Sequence, residues 1–208
     1  MNEDHKKTND TIIERGTIED LNNLYKSYCS DFPENERKSF EYLKTLMETG
    51  KYRLLLIKNY GESERIGYAF IYTIEHERTL WLDFFAIEKR FRSKGLGSLI
   101  MDQIISYFGS AYQGMFIEAE IPNGLDSNQE RRLEFYKRKG AQILSLEYEL
   151  PTLEGGFPMY LMYLSENKNL QRETIERSIK SVFDVIHSNI MDRDKLYKKV
   201  IGTIKITN

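Results

Sequence analysis

Long apolar runs are missing from this 208-residue chain: no stretch approaches the ~20 apolar residues that a membrane-crossing helix needs. The opening MNEDHKKTND is polar and unlike a secretory leader, so neither secretion nor membrane insertion is expected. A single cysteine, Cys29, forbids an internal disulfide and any cysteine-based zinc cluster. The three histidines, His5, His76 and His187, are too scattered to suggest a metal site, so no metal is expected and a reducing cytoplasm fits. Charge of one sign is also lacking. Thirty Lys and Arg stand against 32 Asp and Glu, a formal net charge of −2, so no global field favours nucleic acid or an anionic membrane and any anion site must be local. Proline is rare (four), glycine modest (13), and there is no low-complexity linker or internal repeat, which excludes a solenoid.

What is present is apolar surface. Hydrophobic residues make up 40% of the chain and aromatic ones 12%, enough to offset chain entropy and exclude intrinsic disorder. At this length one compact unit with an appendage is expected. Residues 1–10 lack apolar periodicity and read as a flexible start, 11–165 as the main domain, and 166–208 as a C-terminal helical appendage packed on that domain or used by a second subunit.

Periodicity predicts a short strand at Thr11 to Arg15, a helix capped by Thr17 and running to about Cys29, and a second helix from about Glu34 to Glu48. Three strands follow, Tyr52 to Lys58, Arg65 to Glu75 and Thr79 to Ile87, joined by turns at Asn59 to Glu62 and around His76 to Arg78 as an antiparallel meander. A helix from Leu96 to near Gly109, a strand at Met115 to Glu120 and a helix from Asn128 to Lys139 come next. Extended segments at Ala141 to Leu146 and Met159 to Leu164 flank a turn-rich Pro151 to Gly156, and an amphipathic helix is expected from Asn169 to about His187. Met191 to Asn208 shows no clear pattern.

The stretch with chemistry in it is Asp83 to Ser98. A strand ends at Ile87, a loop carries Lys89, Arg90, Arg92 and Lys94, and Gly95 and Gly97 open a helix. Unpaired backbone N–H groups and the positive end of the helix dipole converge there, which suits a phosphate, and glycine removes side chains where backbone must approach a ligand. Taken alone, G-x-G would be only a solvated basic loop; its place between a strand and a helix favours an anion site. No Walker loop occurs, and a Rossmann site lacks its third glycine.

Arg92-Ser93-Lys94-Gly95-Leu96-Gly97 resembles the R/Q-x-x-G-x-G/A signature of the GNAT superfamily of acyl-CoA-dependent N-acetyltransferases, and Arg131 to Ala141 is similar to that family's later helix motif with its aromatic-Tyr pair, Phe135-Tyr136. The likeness covers about residues 11–164. It implies a GNAT fold of the mixed α/β (α+β) kind: a mostly antiparallel central sheet of six to seven strands flanked by helices, here with an extra C-terminal helix. It implies acetyl-CoA as co-substrate, its pyrophosphate on Arg92, Ser93, Lys94, Gly95, Leu96, Gly97 and Ser98, and its pantetheine arm along the strand at Phe85, Ala86 and Ile87. Asn128 is a further contact by the same likeness, although Gln129 stands where asparagine is frequent and Ala141 where phenylalanine is usual. Tyr136 aligns with a tyrosine that faces the CoA sulfur and is assigned general acid, against a packing role beside Phe135.

The base is left open. Trp81 stands where some members carry glutamate and cannot accept a proton. Asp83 shares its side of the strand by alternation, and Glu118 and Glu120 share a face of the next strand, interrupting an apolar run. Any of the three could take the proton or attract a cationic amine, with Glu118 ranked first and Asp83 second. The expected activity is acetyl transfer to the primary amine of a small molecule or peptide, most plausibly cationic, by direct attack in a monomer or homodimer. The rivals are a non-catalytic acyl-CoA-binding module, which would not need Tyr136 or the acids, and an enzyme for longer acyl groups. His187 is expected to lie away from these motifs, and Cys29 to be packing.

Overall fold

The apolar periodicities resolve into one sheet with helices on both faces in a computed structural model, which describes residues 11–60, 64–166 and 170–205. The flexible start expected for 1–10, part of the turn at 59–62 and the expected helix start at Asn169 lie outside the described residues. In order come β1 (Thr11–Arg15), α1 (Ile18–Asp31), α2 (Phe40–Glu48), β2 (Tyr52–Asn59), β3 (Arg65–Ile74), β4 (Thr79–Ile87), α3 (Leu96–Phe108), β5 (Gly114–Glu120), α4 (Ser127–Arg138), β6 (Gln142–Ile143), β7 (Tyr148–Thr152), β8 (Gly155–Leu164), α5 (Arg172–Val185) and α6 (Arg193–Gly202).

Local chemistry sets several boundaries. Thr17 and Asp20 form a reciprocal capping box at the start of α1. Ser39 caps α2, so that helix starts at Phe40 and not at the expected Glu34; residues 34–39 are a loop held by Arg37 Nη1 donating to the Cys29 carbonyl (2.7 Å) and by the Lys38 N–H donating to Tyr28 Oη (2.7 Å).

The strands run β1-β2-β3-β4-β5-β8-β6, with β7 also on the side of β8 away from β5. Every pair is antiparallel except β4 with β5, which therefore needs α3 as its crossover. Two expectations change here. Only Gln142 and Ile143 of the expected strand 141–146 join the sheet, and Pro151 to Gly156 is the tip of a β7–β8 hairpin, which raises the strand count to eight. Pro151 and Pro158 mask that hairpin in the sequence because proline donates no ladder hydrogen bond.

Alternation along the strands gives the sheet two apolar faces. One packs on α3 and α4 through Ile100, Met101, Ile104 and Leu133, against Leu55, Ile71, Leu80 and Ile117. The other packs on α1, α2, α5 and α6, and holds Tyr28, Tyr52, Phe70, Trp81, Phe116 and Tyr148. Ile175, Ile179, Val182 and Phe183 of α5 are part of that second core, so the C-terminal helices close one face of the main domain. Helix α6, unassigned in the sequence reading, lies along β7, where Lys199 pairs with Glu149 (2.5 Å).

Candidate active site

The sheet opens in its middle. Strands β4 and β5 pair only from Thr79–Gly114 to Leu82–Ile117, so residues 83–87 have β3 on one side and no strand on the other. At the same point the β3–β4 ladder slips: Phe70 pairs with Phe84 and Ile71 with Leu82, leaving Asp83 as the extra residue of a bulge. A bulge re-aims side chains. Asp83 and Phe84 both turn toward the tyrosine-rich face, while Phe85 and Ile87 face α3 and α4.

On the α3 side the cradle is made of backbone. Gly95 caps α3 with φ +75° and no side-chain cap, and Ser93 also adopts a positive φ of 62°, unusual for a residue with a side chain. The Ser98 N–H donates to the Gly95 carbonyl (3.3 Å), while the N–H groups of Leu96 and Gly97 at the start of α3 have no backbone acceptor among the described residues and lie at the positive end of the helix dipole. A Cβ on Gly97 would lie 3.3 Å from both Ile87 Cδ1 and Phe135 Cε2, so glycine permits the close seating of α3 here. Leu96 is buried in the core and offers only its backbone, whereas Ser98 is exposed. Arg92 is committed within the protein: Nε donates to the Ile87 carbonyl (2.6 Å) and Nη2 to Asp31 (2.8 Å), which also accepts from Tyr68. Lys94 lies over the Phe91 ring. Ala86 turns its methyl into the tyrosine-rich core. Phe85 stacks at 6.4 Å on Phe135 of α4, which bridges from β5 to the open half of β4.

Tyr136 follows Phe135 and is buried on that same face. No described residue hydrogen-bonds its hydroxyl, and burial pushes its pKa up to about 12, so the phenol keeps its proton at neutral pH. Asn128 turns back onto Asp126 (2.9 Å) at the exposed start of α4; its neighbour Gln129 is the one that reaches inward, to Glu120 (3.2 Å).

The three acids have different surroundings. Glu120 is ion-paired with Arg132 and bonded by Gln129, tying β5 to α4. Asp83 is buried and bound by Lys38 Nζ through both oxygens (3.0 and 2.9 Å) and by the Tyr52 hydroxyl. Glu118 is the first residue of β5 beyond the last β4–β5 pair and accepts a hydrogen bond from Tyr148. Burial, followed by the negative charge of Asp83, raises the Glu118 pKa to about 7; Tyr148, Lys38 and the nearby Trp81 indole pull the other way without cancelling them. That Trp81 N–H is buried and reaches no acceptor at hydrogen-bonding distance. A carboxyl with that value carries appreciable amounts of both protonation states near neutrality, as a proton acceptor requires.

Four participants were not visible as such in the sequence. Lys38 falls within the expected second helix, Tyr52 opens an expected strand, Tyr148 lies between two expected extended segments, and His187 is expected to be remote. In the structure His187 is 5% exposed, packs on Phe183 (6.1 Å), and has a buried Nε2 without a partner. Burial first, and the charge of Lys38 second, hold it well below its ordinary pKa and hence neutral, so it lies within electrostatic reach of the Asp83 pair rather than away from it. Asp83, by its side of the strand, and Glu118, as an acid interrupting an apolar run, offered the sequence signals for this cluster.

The open parallel pair and the glycine-capped crossover helix are in place, and the model of the GNAT acetyltransferase family matches residues 20–141. The chain belongs to that family. As a GNAT member it is an acyl-CoA N-acyltransferase by type, and its fold recurs in solved structures. A GNAT-family protein from Bacteroides thetaiotaomicron is 20% identical, with 84% of this chain and 97% of that one covered and a TM-score of 0.70. The spermidine N-acetyltransferase of Vibrio cholerae, solved with CoA and spermine, is 14% identical over 78% of this chain and 99% of its own (TM-score 0.58). The ribosomal-protein-S18-alanine N-acetyltransferase of Escherichia coli is 16% identical over 77% and 99% (TM-score 0.56). Among curated proteins no sequence matches. At these identities the neighbours establish the shared GNAT fold, and the family match ends before β6.

Proposed function

We propose that this chain transfers an acetyl group from acetyl-CoA to a primary amine by direct attack, with Glu118 as base. The observation that carries this reading is the position of Glu118, a carboxyl with pKa about 7 at the first step past the β4–β5 split. Backbone N–H groups of Ser93 to Ser98 receive the pyrophosphate, and the open edge at 83–87 receives the pantetheine arm as an added strand. This uses Gly95, Gly97, Lys94, Leu96 and Ser98 mainly through backbone. Arg92 contributes by holding the loop to Asp31 and the Ile87 carbonyl. Asn128 has the weakest claim of the cofactor residues, since it is bonded locally and exposed.

An alkyl ammonium has a pKa of ~10.4, so it must lose a proton before attack. Glu118 accepts that proton, directly or through water; the amine nitrogen then bonds to the thioester carbonyl carbon, the C–S bond breaks, CoA departs as thiolate, and the nitrogen releases its second proton to solvent to leave the neutral amide. Tyr136, on the opposite face of the split, donates a hydrogen bond to that thiolate. With its pKa near 12, above ~8.5 for a thiol, the phenol stabilises the thiolate without giving up its proton fully, and solvent completes the transfer. Asp83 and Glu120 act as fixed ends of ion pairs. The neighbours named as spermidine and ribosomal-protein-S18-alanine N-acetyltransferases support an amine acceptor. The free thiol of Cys29 suits a reducing cytoplasm. Incubation with acetyl-CoA and pooled amines tests the reading by release of free CoA; binding of acetyl-CoA with no release for any amine would leave only a binding module.

A further inference from the structure

Resting on that reading, we infer that Lys38 fills a cation-binding subsite of the acceptor pocket from within and so selects amines that carry no second positive charge near the reacting nitrogen.

The subsite is complete without any external ligand. Asp83, whose side chain is only 3% exposed, holds Lys38 Nζ with both oxygens at 3.0 and 2.9 Å, and the ammonium lies 4.7 Å from the centre of the Phe84 ring. Tyr52 donates its hydroxyl to the same carboxylate. A buried carboxylate with an aromatic face beside it is the chemistry that recognises alkylammonium ions. Its position favours the acceptor: Asp83 is the bulge residue just past the last β4–β5 pair, and its charge is felt by Glu118 across the split.

Lys38 is no accident of a long side chain finding a surface acid. Its side chain is 9% exposed, and its backbone is pinned through the N–H to Tyr28 (2.7 Å) and through the carbonyl to Tyr25 (3.4 Å). Burying this pair costs desolvation of both ions, which two hydrogen bonds and the ring only partly return, so the pair is poorly explained as a stabilising device. As a selectivity device it is direct. A diamine that places one nitrogen at Glu118 would bring its second ammonium toward a carboxylate already neutralised, and next to the charge of Lys38 itself.

The test reads cation binding and turnover separately, using 1,4-diaminobutane and butylamine on wild type, Lys38→Met and Lys38→Met/Asp83→Asn. By calorimetry the diamine should bind Lys38→Met about tenfold or more tighter than wild type, the scale of one charge-assisted hydrogen bond, and the gain should vanish in the double variant. The ratio of kcat/KM for diamine over butylamine should rise by the same factor in Lys38→Met. Equal diamine affinity in wild type and folded Lys38→Met, or a gain that survives Asp83→Asn, overturns the inference. Lys38→Gln, whose amide still donates to Asp83, carries the same comparison if Lys38→Met does not fold. A binding gain without transfer to either amine in any variant would keep the cation subsite and overturn the acyl-transfer reading instead.

Discussion

The two faces of the sheet solve their problems with different materials. On the α3 and α4 face the proposed phosphate cradle is built from backbone N–H groups, two positive-φ residues and a glycine beside Ile87 and Phe135. On the α1, α2 and α5 face, Lys38, Tyr52, Asp83, Glu118 and Tyr148 come from a loop and four different strands. Backbone recognition tolerates side-chain change and suits a co-substrate that many proteins share. A cluster of buried charges does not tolerate such change, since the charge of Asp83 helps raise the Glu118 pKa, and it suits an acceptor particular to one protein.

Breaking the first face should give the largest effect. Gly97→Glu would set a carboxylate at the proposed pyrophosphate site, its Cβ accommodated by a small shift of Ile87 and Phe135, so CoA affinity should drop by roughly a hundredfold or more in a protein that still folds. Calorimetry with CoA checks it; unchanged affinity would move the cradle elsewhere.

On the second face, Glu118→Gln should lower kcat/KM roughly a hundredfold at neutral pH. Wild-type activity should rise with pH through about 7, as the base ionises; the variant should lack that inflection and recover only as the amine itself deprotonates. Stability moves the other way. The folded pKa lies above its ordinary 4.5, so wild type should lose stability relative to Glu118→Gln as pH climbs from about 4.5 to about 7. Thermal melts across that window check the sign.

Tyr136→Phe joins the two faces at the split and should cut kcat by about tenfold to a thousandfold with acetyl-CoA affinity nearly intact. Wild-type turnover in that variant would return Tyr136 to packing beside Phe135. Ile179→Ala, fully buried in α5, should cost about 2–5 kcal/mol in a single cooperative unfolding transition, because α5 shares its core with α1 and β2. An early separate transition would make the C-terminal helices a true appendage. The smallest effect is expected from Glu120→Gln, whose carboxylate is spent on Arg132 and Gln129: kcat should change by less than about threefold. A larger loss would revive Glu120 as base.

Much of the first face was legible because its chemistry is local. Strand, basic loop, glycine and helix follow one another in the chain, so Phe85 to Ser98 could be placed from spacing and resemblance alone, as could the Thr17 cap and the core stripe of α3. The strands of the meander were legible for the same reason. The β7–β8 hairpin was not, because two prolines and two glycines read as a turn, and α6 was not, because its few apolar residues pack on α5 and β7, which the chain reaches only after folding.

Sequence by itself thus determined most of the elements up to α4, the glycine-opened helix and the short list of Asp83, Glu118 and Glu120 as acids out of place. It could not rank them, since a carboxyl's role depends on partners distant along the chain: Lys38 is 45 residues from Asp83, and Tyr148 is 30 from Glu118. Tertiary structure decided that Arg132 neutralises one acid and Lys38 another, while Glu118 is left at the split with a raised pKa, because burial and Coulomb energy depend on distance in space and not on separation in sequence.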